Sequence, residues 1–154
     1  GVLLFQQKAI PKPVMSEEVA YIMTRMLKGV ITNGTGSRLN YKYKVNAPIG
    51  GKTGTTQNNS DGWFMAITPQ LVTGIWTGCE DRAFHFISTG QGEGANTALP
   101  IFAGFIKRVY ADPKLKITKN DFEPPKNGTS IVFDCNQYQQ QEEGTTELDE
   151  KLGF

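Results

Sequence analysis

The 154-residue chain carries 16 basic and 15 acidic side chains, 38% apolar residues, 17 glycines, 2 cysteines and a single histidine. At this length a core can form without disulfides or metal, while the longest apolar runs fall far short of the ~20 residues a membrane helix needs. One histidine, His85, and two distant cysteines, Cys79 and Cys135, argue against a metal site or a histidine-based catalytic centre, and the thiols read as free and partly buried rather than paired.

Charge is uneven: residues 1–110 hold eleven basic and six acidic side chains, and residues 111–154 hold five and nine. The only basic cluster surrounds Tyr43, so no nucleic-acid partner is expected. No Met or basic-then-apolar leader opens the chain. Any targeting or membrane segment is therefore expected outside it.

Ser16, followed by Glu17 and Glu18, predicts a capped helix start with acids at the favourable end of the dipole. Val19, Ile22, Met23, Met26, Leu27 and Val30 recur at helical spacing, predicting a core-facing stripe to about Ile31, with Asn33-Gly34 as a left-handed stop. Thr35 to Ser37 reads as a tight turn, and Tyr41 to Val45 as a short strand or extended arm.

Three strands are predicted next, over Ile49–Gln57, Gly62–Thr68 and Leu71–Gly78, the last two joined by a Pro69-Gln70 hairpin. Both faces of Trp63-Phe64-Met65-Ala66-Ile67 are apolar, which predicts helices over both sides of the sheet, with Trp63, Phe64 and Trp76 in the core. One cover is the Val19 helix. The other is a helix from near Thr97, tolerating Pro100 in its first turn and presenting Leu99, Phe102, Phe105, Ile106 and Val109 until Asp112-Pro113. The class is α+β, an antiparallel sheet of three or more strands flanked by helices. Residues 114–154 read as a polar, extended appendage, with 137–154 disordered.

One segment carries chemistry: Gly50-Gly51-Lys52-Thr53-Gly54-Thr55-Thr56. A phosphate loop is one reading, but Asn46 stands where its first glycine belongs, and Gly54 to Asn59 is too poor a helix former to follow such a loop. Glu80-Asp81 would be its magnesium acids. Recognition of a carboxylate at a strand edge is the other. Alternate residues share a face, so the Thr53 and Thr55 hydroxyls point together while Lys52 adds charge, and side-chain-free Gly54 lets another backbone approach. Asp61 reads as fixing the turn before Trp63.

Lys52-Thr53-Gly54 is also the third signature of penicillin-binding proteins and serine β-lactamases. With its flanks, Thr55-Thr56, Asp61-Gly62-Trp63-Phe64, Thr68-Pro69 and Leu71 to Gly78, the segment resembles the transpeptidase of class A, bifunctional penicillin-binding proteins. Asn33-Gly34-Thr35-Gly36 upstream and Ala98-Leu99-Pro100-Ile101-Phe102 downstream extend the likeness over about residues 11–113.

The resemblance implies a partial β-lactamase/transpeptidase-like fold, with 1–113 as the C-terminal portion of the domain. It implies acyl transfer from the D-Ala-D-Ala end of a peptidoglycan stem peptide, mimicked by β-lactams, on the periplasmic side of the inner membrane, with no cofactor and no metal. Carried over, Lys52 supplies positive potential, Thr53, Gly54, Thr55 and Thr56 bind substrate, and the Thr55 backbone N–H enters the oxyanion hole. No nucleophile is present. None of Ser16, Ser37, Ser60, Ser88 and Ser130 has lysine three residues on or asparagine two residues on, so S-x-x-K and S-x-N are both absent. The chain is thus expected to be a C-terminal fragment cut near Gly1–Gln6, inactive alone, whose partner is the missing N-terminal half of the domain and whose membrane anchor lies elsewhere. A serine β-lactamase fragment and a stand-alone peptide-binding module are the alternatives.

Overall fold

In the computed structural model, which describes residues 2, 4–6, 10 and 12–133, the first element is helix α1 (Glu17–Thr32). Ser16 caps it, its hydroxyl accepting from the Val19 N–H at 3.3 Å. The helix does not end on a left-handed residue: Asn33 has φ −129°, and the Gly34 and Gly36 N–H groups both close back on the Val30 carbonyl.

The expected arm at Tyr41–Val45 is instead the end of a helical turn, α2 (Arg38–Tyr41), and the tight turn that leaves it. Lys42 and Tyr43 donate to the Arg38 carbonyl and Lys44 to that of Asn40. These local bonds satisfy the backbone there, so the alternation of side chains belongs to a turn rather than to a pleat. Lys42 and Tyr43 stack as a cation over a ring, 5.4 Å from its centroid.

Strands β1 (Gly50–Thr55), β2 (Asp61–Ile67) and β3 (Val72–Gly78) form one antiparallel sheet in that order. Pro69 and Gln70 sit at the tip of the β2–β3 hairpin, which Thr68 N–H closes onto the Leu71 carbonyl at 2.8 Å. Gly54 pairs with Trp63, and Trp63 with Trp76. A short helical turn, α3 (Thr89–Gly92), precedes α4 (Ala98–Ala111).

Leu99, Phe102, Ala103, Ile106 and Val109 of α4 are buried against Phe64 and Ala66, together with Ile31, Leu39, Val45 and Ile49. The Phe64 and Phe102 rings meet at 5.1 Å, a tilted aromatic contact at the centre of the core.

Among the described residues, only one sheet face is closed in this way. Trp63 and Trp76, expected in the core, are 42% and 46% exposed, with Met65 beside them. Alternation explains it: Phe64 and Ala66 face α4, so their odd-numbered neighbours face away from it. The α1 stripe departs from expectation for a related reason. Val19, Met23 and Met26 are exposed, and only Ile31 of this helix is fully buried, because α1 meets the sheet along β1, where Leu27 lies over Gly50 and Ile31 over Gly51. Phe105 likewise points outward from α4.

Backbone contacts divide the chain into Gly1–Glu123 and Pro124–Phe154, and every element above lies in the first. In the second, Gly128 closes a turn onto the Pro125 carbonyl. Cys135 and the expected disorder over 137–154 lie outside the described residues; Cys79 is free but exposed rather than partly buried.

Candidate functional site

β1 is an edge strand. Among the described residues its one partner is β2. The Thr56 N–H donates to the Asp61 carbonyl at 3.0 Å, which fixes the phase of the ladder: in an antiparallel pair, hydrogen-bonded positions alternate. Lys52, Gly54 and Thr56 therefore spend their backbone groups on β2, while those of Thr53 and Thr55 point out of the sheet edge. The Thr53 carbonyl makes this visible, since it accepts from the Lys52 ammonium at 2.8 Å.

Side chains follow the same period. Thr53 and Thr55 lie on one face and Lys52 on the other, in line with their partners Phe64, Gly62 and Met65. Each threonine is held by a neighbour. The Thr53 and Thr35 hydroxyls are 2.7 Å apart, and the Gly94 N–H donates to the Thr55 hydroxyl at 3.2 Å. A hydroxyl that accepts still has a proton to donate, so the Thr55 side chain, itself exposed, keeps a free donor toward solvent.

Gly94 reaches this position because it lacks a side chain. A Cβ there would collide with the backbone oxygens of Trp63 and Gly54. Beside it, Arg38 and Glu93 form a 2.7 Å ion pair joining α2 to the loop before α4. At Gly54 itself a Cβ would stand on the sheet face that it shares with Trp63 and would meet the Trp63 Cβ at 3.2 Å.

Beyond Thr55 the chain turns through Gln57–Asn59, with Asn58 and Asn59 both in left-handed conformations. Asp61 holds the turn. Its carboxylate accepts from the Thr56 and Ser60 hydroxyls at 3.0 Å each and from the Trp76 indole N–H at 2.9 Å. The Trp76 bond first, then Ser60 and Thr56, and lastly the charge of Arg82 hold this carboxyl below the ordinary carboxylate range. A polar cavity of about 480 Å³ opens here, lined by Thr55, Thr56, Gln57, Asn58, Ser60 and Arg82.

The structure thus brings Lys52, Thr53, Gly54, Thr55 and Thr56 onto one edge strand and its end. The phosphate-loop alternative fails on the same geometry, because no α-helix follows Thr53: the strand runs on to Thr55 and a 3-10 turn comes after it. Thr35, Gly94 and Arg82 join the site from elsewhere in the chain. Sequence reasoning missed their contacts, because each is made across a long stretch of sequence. Among the described residues no group of acids, cysteines and histidine could hold a metal ion.

A family model described as the penicillin-binding protein transpeptidase domain matches residues 4–75. Penicillin-binding protein 1A of Aquifex aeolicus is 33% identical over 135 residues, 84% of this chain and 16% of its own length. Penicillin-binding protein 1A of Pseudomonas aeruginosa is 36% identical over 73% of the chain, and penicillin-binding protein 1B of Vibrio cholerae 31% identical over 70%, each match covering 13% of the relative. The crystal structure of penicillin-binding protein 1A from Haemophilus influenzae superposes with a TM-score of 0.61 at 28% identity, over 73% of this chain and 17% of that one. The chain spans less than a fifth of the length of these relatives. With its three-stranded antiparallel sheet, flanking helices and Lys-Thr-Gly edge strand, it carries part of a transpeptidase domain and belongs to the class A penicillin-binding proteins.

Proposed function

We propose that this chain supplies the carboxylate-recognising and oxyanion-donating side of a peptidoglycan D,D-transpeptidase. The observation that carries this reading is the open edge of β1, where Thr53 and Thr55 turn their backbone groups outward beside two oriented hydroxyls. An extended peptide can add to such an edge by main-chain bonds. Its terminal carboxylate then meets the hydroxyls of Thr53 and Thr55, with the Lys52 ammonium close by.

In the acylation step a serine oxygen bonds to the carbonyl carbon of the penultimate D-alanine, and the terminal D-alanine leaves with the peptide nitrogen protonated. Negative charge gathers on the carbonyl oxygen, and a fixed N–H such as that of Thr55 stabilises it. Removing one donor of this kind costs about 10²–10³ in rate. An amine of a second strand then displaces the serine and forms the cross-link. The serine belongs to S-x-x-K, which this sequence lacks, so the chain acts only beside the N-terminal part of the domain. Residues 1–113 form the domain portion in this reading, and 114–154 an appendage. The reaction takes place on the extracytoplasmic side of the membrane, with a β-lactam able to replace the stem peptide. No helix among the described residues is long and apolar enough to cross a bilayer.

Fluorescent penicillin is the test. The chain alone should take no covalent label, and a polypeptide that joins it to an upstream half bearing S-x-x-K and S-x-N should be labelled. Lys52→Ala in that polypeptide should cut labelling severely. A stable adduct on the chain alone, or labelling unaffected by Lys52→Ala, overturns the proposal.

A further inference from the structure

At the opposite end of β1 from Thr55, a second cavity of about 210 Å³ is lined by Lys44, Val45, Asn46, Ala47, Lys107, Tyr110, Ala111 and Lys119. Its charged lining is three lysines and no acid. None of these lysines belongs to the ion pairs Lys28–Asp121, Arg38–Glu93 and Arg82–Asp61. Asp112, next to Ala111 in the chain, has its carboxylate turned to the Lys114 N–H at 2.9 Å. Three lysines line one concavity, and their positive charges favour an anion there over a cation.

Two of the three carry a conformational restriction, one in its side chain and one in its backbone. The Lys119 ammonium sits over the Tyr110 ring, 5.3 Å from its centroid, a cation–π contact that restricts a flexible side chain. Lys44 follows α2 with φ +55°, its N–H bonded to the Asn40 carbonyl. That left-handed position past a helix end is normally filled by glycine or asparagine, and a residue with a longer side chain adopts it at a cost. A glycine would relieve the backbone.

We infer that the Lys44, Lys107 and Lys119 ammonium groups, with the Asn46 amide, form a binding site for a phosphate-type oxyanion. The cavity is smaller than the roughly 300–1,000 Å³ of sites for drug-sized ligands, which suits a single anionic group. Its cations are separate point charges rather than the planar fork of an arginine that pairs with a carboxylate. Three such donors can each take one oxygen of a tetrahedral phosphate, whereas a carboxylate has only two oxygens. The anion can be free phosphate or the phosphodiester of a lipid headgroup. The site does not depend on the transpeptidase reading.

The test titrates the isotopically labelled chain with inorganic phosphate by NMR, and measures its co-sedimentation with phosphatidylcholine vesicles containing or lacking phosphatidylglycerol. Saturable shifts confined to residues 44–47, 107–111 and 119 are expected with free phosphate. If instead only phosphatidylglycerol vesicles bind, and the variants below abolish that binding, the same site takes a headgroup. Lys44→Gly should weaken binding about tenfold, as loss of one charged hydrogen bond does, while leaving the melting temperature equal or higher. A Lys107→Gln and Lys119→Gln double variant should lose about a hundredfold by the same measure. No saturable response to either probe, or a response that all variants retain, overturns the assignment. A fall in melting temperature for Lys44→Gly would also count against it, since it would make the lysine structural.

Discussion

The hydroxyls of Thr35 and Thr53 lie 2.7 Å apart across eighteen residues of sequence. Through this contact the turn after α1 fixes a side chain of the edge strand, on the same sheet face where the Gly94 N–H fixes Thr55 at 3.2 Å. The two threonines proposed to receive a carboxylate are therefore oriented before any ligand arrives, which lowers the entropy cost of binding.

Thr35→Val removes the hydroxyl but keeps the shape. The bond is exposed, so the variant chain should lose no more than about 1 kcal/mol of stability in urea. In a penicillin-labelled polypeptide containing this chain, Thr53→Val should slow labelling more than Thr35→Val does, because Thr35 acts through Thr53. The reverse order would show that Thr35 meets the ligand itself.

Gly94→Ala places a methyl group against the backbone of Trp63 and Gly54. Backbone in a paired strand cannot yield as a side-chain tip can, so the cost should reach about 1–3 kcal/mol or more. Gly90 is exposed with nothing within 4 Å of a built Cβ. Gly90→Ala should be neutral or stabilising by about 0.4–1 kcal/mol through the unfolded chain. Urea midpoints of the two variants check the contrast.

The Asp61 carboxyl titrates below its usual value in the folded chain, chiefly through the Trp76 indole bond. Its contribution to stability is therefore fully present above the ordinary aspartate pKa near 3.8 and is lost as the pH falls below that value and through the lower folded one. Asp61→Asn should destabilise the chain at pH 7, because Thr56 and Ser60 donate to one carboxylate oxygen and the Trp76 indole to the other, whereas an amide has a single accepting oxygen and cannot serve both sides. The gap between wild type and variant should narrow below about pH 4. A gap of constant size down to pH 2 would show that the charge of Asp61 is irrelevant to the turn.

Phe102 is fully buried against Phe64, whereas Trp76 is 46% exposed. Phe102→Ala should cost about 3–5 kcal/mol, and Trp76→Ala less despite the larger ring, with its cost concentrated in the indole bond to Asp61. Thermal or urea unfolding of both variants decides the order.

Most secondary structure was legible in the sequence where a period was long and its ends were marked. Ser16 with two acids set the start of α1, Pro69-Gln70 set the hairpin, and the Leu99–Val109 spacing placed α4 with Asp112-Pro113 behind it. The short segment at Tyr41–Val45 went the other way, because five alternating residues fit a pleat and a turn equally well, and the Arg38 and Asn40 carbonyls decided between them.

The Lys52-Thr53-Gly54 strand and its residue types are properties of the sequence alone, since a two-residue period makes Thr53 and Thr55 share a face wherever that strand lies. Tertiary structure decided which edge of the strand is open, which face of the sheet α4 closes, and which distant groups orient the threonines. Those outcomes depend on contacts such as Thr35 with Thr53 and Gly94 with Thr55, made between residues far apart in the chain. Local periodicity carries no record of them. The exposure of Trp63, Met65 and Trp76 follows the same logic: their apolar character sets a preference for burial, but only the packed arrangement determines whether anything covers that face.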